Sequence, residues 1–238
     1  MKRNLAAIAF ILAIELGIIA AMVPRGTNDL PRTPSAAHEK SHVSTERGET
    51  DAFRIIVDGT PIDERISVAS SVTGNSFYLS HDANGSRSPR GCVFSDYRCN
   101  DGNRHLLLYG HSFGYGTGMF TPLRRSWEAD VFRSIGNARI FMSGEDITYR
   151  PLAALKVTSD FADIQRFSFT DTEDMRSWLR GLVAQSNASI QKSADEIARA
   201  QQVLTLVTCA NAVPGQPQRT IVIFTSTNYE RILPQPRR

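Results

Sequence analysis

From residue 51 onward, apolar and polar residues alternate in short runs, each bounded by a turn signal, as in half-buried strands. Such runs lie at 53–57, 65–69, 76–80, 104–109, 138–142, 146–149, 153–158, 203–208 and 219–224. Asp58-Gly59, Gly74-Asn75, Asn84-Gly85 and Ser143-Gly144 punctuate them. The period changes in two regions. Residues 126–135 set Trp127, Val131 and Ile135 on one helical face, and 172–186 set Met175, Trp178, Leu179, Leu182 and Val183 on another. Ser193 followed by Glu196 reads as a capping box that opens a helix over 194–202. Many short strands at this spacing predict a mainly β fold, a barrel or sandwich with helices added.

Residues 1–50 break the pattern. Met1-Lys2-Arg3-Asn4 precedes a stretch from Leu5 to Val23 whose single charge is Glu15. As a helix that stretch would reach about 28 Å, close to the hydrocarbon thickness of a bilayer. The apolar region of a cleaved signal peptide is shorter, about 7–15 residues. Residues 1–23 are therefore expected to be a retained transmembrane signal anchor. Lys2 and Arg3 hold its N-terminus in the cytoplasm and place the rest outside. Pro24, Pro31 and Pro34 then stand among Ser, Thr, His and charged residues, so 24–50 reads as a flexible linker that cannot bury a core. The expected domain is 51–238.

Composition changes this picture little. The chain has 238 residues, 41% hydrophobic and 21% charged, which suits one good-sized core. A net charge of +3, with no basic cluster interleaved with aromatics, gives no footprint for nucleic acid. Cysteine matters more. Cys92 and Cys99 bracket a short stretch and, outside the membrane, are expected to bridge a hairpin, which leaves Cys209 as the odd thiol. None of the three has the paired spacing of a zinc site, so no metal is expected.

Cys209 closes the apolar run Leu204-Thr205-Leu206-Val207-Thr208, where a cysteine is ordinarily a small buried hydrophobe. A reactive thiol needs a base and an electropositive partner. Of the five histidines, His38 and His42 fall in the linker and His105 inside a strand pattern. His111 follows Leu106-Leu107-Leu108-Tyr109-Gly110, where a strand runs out into a Gly-rich loop, a usual place for reactive groups. Arg219 opens the next strand after Cys209, an odd start unless it has an anion to face.

Tyr109-Gly110-His111, then Thr205-Leu206-Val207-Thr208-Cys209, then Arg219, together resemble the sortase signature of a catalytic His, a TLxTC box and an Arg. Gly91-Cys92-Val93-Phe94-Ser95-Asp96-Tyr97-Arg98 and Gly118-Met119-Phe120-Thr121-Pro122-Leu123 are similar to the stretches flanking that His in class B sortases. So is the helical segment at 171–202, directly before the TLxTC strand. The resemblance implies a closed sortase-type β-barrel with a helical insertion before the Cys strand. It also implies a membrane-anchored cysteine transpeptidase of Gram-positive bacteria that needs no cofactor. Such an enzyme cleaves a C-terminal sorting signal, forms a thioacyl-enzyme, and transfers the surface protein to an amine of the cell wall or of a pilin subunit. By the same resemblance His111, Cys209 and Arg219 are catalytic, Thr208, Val207 and Ser112 touch the peptide, and the loops flanking the 172–186 helix form a groove wall. Ser112 stands where the class usually has Asn, and Val207 where Ser is frequent. Two other readings use the same residues: a secreted cysteine peptidase with water as acceptor, and a membrane-tethered binding domain.

Overall fold

The computed structural model describes residues 53–229 apart from 101, 143, 144 and 214. The expected anchor at 1–23 and linker at 24–50 lie outside the described residues, and among those described no helix is long and apolar enough to cross a membrane. The strands among them, in chain order, are β1 (Arg54–Val57), β2 (Ile62–Val68), β3 (Val93–Ser95), β4 (His105–Tyr109), β5 (Ala138–Met142), β6 (Glu145–Thr158), β7 (Ala188–Ser189), β8 (Gln202–Cys209) and β9 (Gln218–Ser226). They neighbour one another in the order β5-β1-β2-β3-β4-β8-β9-β6-β7. A further β5–β6 pairing closes β5 through β6 into an eight-stranded barrel, with β7 outside the closure. The mainly β barrel is as expected, and closure leaves it few free edges.

The central strands explain their own sequences. β4, β8 and β9 are buried almost along their whole length, so they read as continuous apolar runs rather than as alternations. Leu106, Leu107 and Leu108 face Leu204, Thr205 and Leu206 across a parallel pairing. Each fully buried aliphatic side chain there contributes about 1.5–3 kcal/mol of transfer free energy. β6 was expected as two strands and is one, 14 residues long. It pairs first with β5 and then with β9, and Pro151 stands where the register shifts, so the missing N–H falls at an irregularity.

Several local expectations fail. Residues 76–80 form no strand; Phe77–Leu79 is a 3-10 turn, with all three side chains half-buried and no alternation of faces. β3, only three residues long, was not predicted. The helix expected over 126–135 shrinks to α1 (Ala129–Arg133), preceded by a 3-10 turn at Thr121–Leu123, and its buried side chain is Phe132. The amphipathic helix is α2 (Thr172–Ala184), with Met175, Leu179 and Leu182 buried and the Asp171 carboxylate accepting from the Asp174 N–H as N-cap. α3 (Ser193–Arg199) starts one residue early, so Ser193 lies inside the helix and no capping box forms. Glu196 is instead buried, with Arg199 2.9 Å away.

The expected disulfide is absent. Cys92 and Cys99 are separate thiols at opposite ends of β3 and the turn after it. Cys92 Sγ lies 3.2 Å from Ser67 Oγ, and burial pushes its thiol pKa up. Cys99 Sγ instead accepts from the Leu107 N–H at 3.4 Å, and burial raises its pKa to about 12. An extended strand holds the two sulfurs apart where a hairpin would have brought them together.

Candidate active site

Strand register alone assembles the site. β4 and β8 run parallel with Tyr109 opposite Val207, and the Gly110 N–H continues the ladder to the Val207 carbonyl at 3.1 Å. Two residues further along each chain stand His111 and Cys209. On the other side of β8, Cys209 is the antiparallel partner of Arg219 on β9. His111, Cys209 and Arg219 therefore form a row across three neighbouring chain segments at one end of the barrel, and all three line one groove.

Each side chain is held differently. A Cβ at Gly110 would lie 2.7 Å from the Phe120 ring, so only glycine lets the chain turn there and aim His111. The loop beyond is pinned by Phe120 N–H to the His111 carbonyl (3.1 Å) and Phe113 N–H to Thr121 Oγ1 (2.9 Å). His111 Nε2 lies 3.0 Å from the Leu79 carbonyl, which can only accept. Neutral His111 thus carries its proton on Nε2, and Nδ1 keeps the lone pair. Burial holds the His111 pKa below the usual imidazole value; the Leu79 carbonyl works against this and Arg219 adds to it. Arg219 is 5% exposed, and its Nη1 donates to the Gln216 and Gln218 carbonyls at 2.7 and 3.0 Å. Those two bonds hold one end of the guanidinium of the residue paired with Cys209 and leave its other donors for an anion.

The rest of the groove is mostly hydrocarbon. Leu79 comes from the 3-10 turn, Val207 and Ile221 from β8 and β9, and Phe161 and Ile164 from the loop between β6 and α2. Among the described residues, none of those lining the groove is Asp or Glu. The space is about 760 Å³, open to solvent. Among the described residues no group of three or more His, Cys, Asp or Glu side chains is arranged to hold a metal ion.

Known proteins resemble this chain both in sequence and in fold. Sortase B of Listeria monocytogenes is 25% identical over 150 residues, covering 62% of this chain and 59% of that protein. This chain thus matches less than two thirds of the relative's length. The crystal structure of Clostridium perfringens sortase B superposes with a TM-score of 0.64 at 22% identity, over 75% of this chain and 94% of that one. A substrate complex of Staphylococcus aureus sortase B gives 0.59 at 20%, over 75% and 80%. The chain has the class B sortase fold. No family model matches it.

Within that sortase fold the expected residues divide. Val207 and Thr208 line the groove beside Cys209, and Thr208 Oγ1 is buried without a hydrogen-bond partner. Ser112 does not line it; its hydroxyl is buried and equally unpartnered. Of the two loops flanking the 172–186 helix, the one before it lines the groove, through Ser159, Phe161, Ile164 and Gln165, and the one after it does not. Asn75, Phe94 and Tyr109 also line the groove and were not singled out from sequence. Tyr109 was legible in principle, two residues before His111 and on the opposite strand to Val207.

Proposed function

We propose that this chain is a class B-type sortase, a cysteine transpeptidase held at the membrane by its N-terminal segment with the barrel outside the cytoplasm. The observation that carries the reading is the row His111–Cys209–Arg219, set by strand register along an apolar groove. A peptide lies in that groove with its scissile carbonyl over Cys209. The Cys209 thiolate adds to the carbonyl carbon, and the oxyanion takes hydrogen bonds from Arg219. As the C–N bond breaks, imidazolium His111 gives its Nδ1 proton to the departing amine, leaving a thioester. An incoming amine attacks that thioester; His111 Nδ1 takes its proton, the C–S bond breaks and the thiolate returns. The unpartnered Thr208 hydroxyl suits a hydrogen bond to the peptide main chain.

The substrates on this reading are surface proteins bearing a C-terminal sorting signal, and the acceptor is an amine of a cell-wall precursor or a pilin subunit. The test incubates the full chain with a library of fluorogenic pentapeptides, with and without a glycyl peptide or lysine as amine. A ligated product that appears only with amine supports transpeptidation. Hydrolysis indifferent to amine points to a peptidase, and no turnover of any peptide defeats the enzyme reading.

A further inference from the structure

Behind the groove lies an ion pair that does not itself line it. Asp96 is fully buried and accepts from the Arg98 N–H (3.0 Å), Arg98 Nε (2.8 Å), Arg98 Nη2 (2.7 Å), Asn75 Nδ2 (2.9 Å) and the Tyr109 hydroxyl (3.0 Å). The carboxylate is saturated with donors, which suits it to hold its neighbours still. The Arg98 guanidinium then reaches away from Asp96. Nη1 and Nη2 both lie 3.2 Å from Gln165 Oε1, and the same guanidinium sits 4.6 Å over the Phe167 ring. Gln165 and Phe167 belong to the loop between β6 and α2, and Gln165 lines the groove.

The main chain of that loop is tied down elsewhere. Trp178 Nε1 donates to the Asp163 carbonyl (2.7 Å), His105 Nδ1 to the Arg166 carbonyl (2.8 Å), and Asn103 Nδ2 to the Phe167 carbonyl. None of these three donors lines the groove. Arg98 to Gln165 adds a side-chain link from the turn after β3 to this loop, and Gln165 itself lines the groove. The guanidinium fork is well matched to both partners, since one edge pairs with the carboxylate while the terminal nitrogens converge on a single amide oxygen.

We propose that Arg98, oriented by Asp96, is a positioning residue that staples Gln165 and so sets the width of the peptide groove. It rests on the sortase reading for its substrate but not for its geometry. Because the staple holds a wall and touches no reacting atom, its loss weakens peptide capture and spares the chemical step.

The experiment compares Gln165→Ala, Arg98→Lys and the double variant in the full chain. Gln165→Ala removes the acceptor without disturbing the Asp96–Arg98 pair, and Arg98→Lys keeps a cation beside Asp96 but loses the fork. The peptide is the best-turned-over member of the pentapeptide library. Each single variant is expected to raise KM about fivefold to tenfold with kcat within about twofold, the scale of one ordinary hydrogen bond. The double variant is expected to be no worse than either single one, because both remove the same link. In parallel, hydrogen exchange of segment 159–167 should quicken severalfold in all three variants while β8 and β9 stay protected. Multiplying KM effects, a fall in kcat instead of a rise in KM, or unchanged exchange at 159–167 would each overturn the staple. If no peptide is turned over even by the parent, the sortase reading fails and the exchange data alone judge the staple.

Discussion

The two ends of β4 carry the same residue type in opposite conditions. His105 opens the strand fully buried, with Nδ1 2.8 Å from the Arg166 carbonyl and Nε2 2.9 Å from Thr205 Oγ1. His111 follows its other end and lines the groove, with Nε2 on the Leu79 carbonyl and the lone pair kept on Nδ1. Burial lowers the pKa of both, that of His105 to about 4. Burial therefore does not separate a structural histidine from a chemical one. Saturation does: a ring with both nitrogens engaged has nothing left to exchange, whereas a ring with one engaged is aimed and still able to react.

The largest effects are expected at the His111 end. Cys209→Ala is expected to take turnover to the uncatalysed background with the fold intact. Residual peptide cleavage above a few per cent of the parent rate would remove Cys209 as nucleophile. His111→Gln loses acid–base transfer and is expected to lower kcat by about 10²–10⁴-fold. Arg219→Lys keeps the charge and loses the fork, and a loss of about 10²–10³-fold in kcat fits a missing oxyanion donor. Single-turnover kinetics with the library peptide would measure both. A His105→Gln variant in the same assay should keep kcat within about threefold.

That contrast was half legible in the sequence. His111 stood out because an apolar strand visibly ended just before it, and β8 and β9 stood out because burial on both faces makes continuous apolar runs. Their relative register carried no local signal, yet it is what puts His111 and Arg219 on either side of Cys209. The Phe77–Leu79 stretch mimicked a strand by composition alone; no neighbouring strand pairs with it, so it coils into the turn whose carbonyl holds His111. Gln165 and Arg98 lie 67 positions apart in a loop and a turn, neither with any periodicity. Contacts of that kind are set by how loops close over a barrel, which no window of residues records. The cysteine pair misled for a related reason, since spacing says nothing of the strand that separates the two sulfurs.

The His105 end is expected to show itself in stability instead. His105→Ala leaves the Thr205 hydroxyl and the Arg166 carbonyl without their partner in the interior, at a cost of about 2–4 kcal/mol in urea unfolding. The pH dependence follows from the same burial. The unfolded chain takes up a proton at His105 near pH 6.5, while the folded chain resists until about 4. Between those values the unfolded state binds more protons, so stability falls as pH drops from about 6.5 and levels off below about 4. The full effect is about 3 kcal/mol. In His105→Gln, which can still bond and does not titrate, the slope should flatten. An unchanged slope would move the acid sensitivity to other groups.

The smallest effect is expected at His111 itself. Three influences act on its imidazolium: burial disfavours it most, the Leu79 carbonyl favours the protonated ring, and the Arg219 cation repels it. Removing the cation while keeping the burial should therefore raise the midpoint of His111, and it should do nothing to His105, whose neighbouring charges are Asp96 and Arg98. The measurement is the imidazole carbon-bound proton shift against pH in Cys209→Ala and in Cys209→Ala/Arg219→Gln, which keeps thiol titration out of the curve. In the first protein the His111 midpoint lies below the ordinary imidazole value, so at neutral pH most rings are neutral and only a minor fraction is ready to protonate a leaving amine. In the second it moves upward toward that value. A midpoint unmoved by the loss of Arg219 would mean that the guanidinium charge does not reach the ring, and the row across β4, β8 and β9 would then be a geometric neighbourhood without electrostatic coupling.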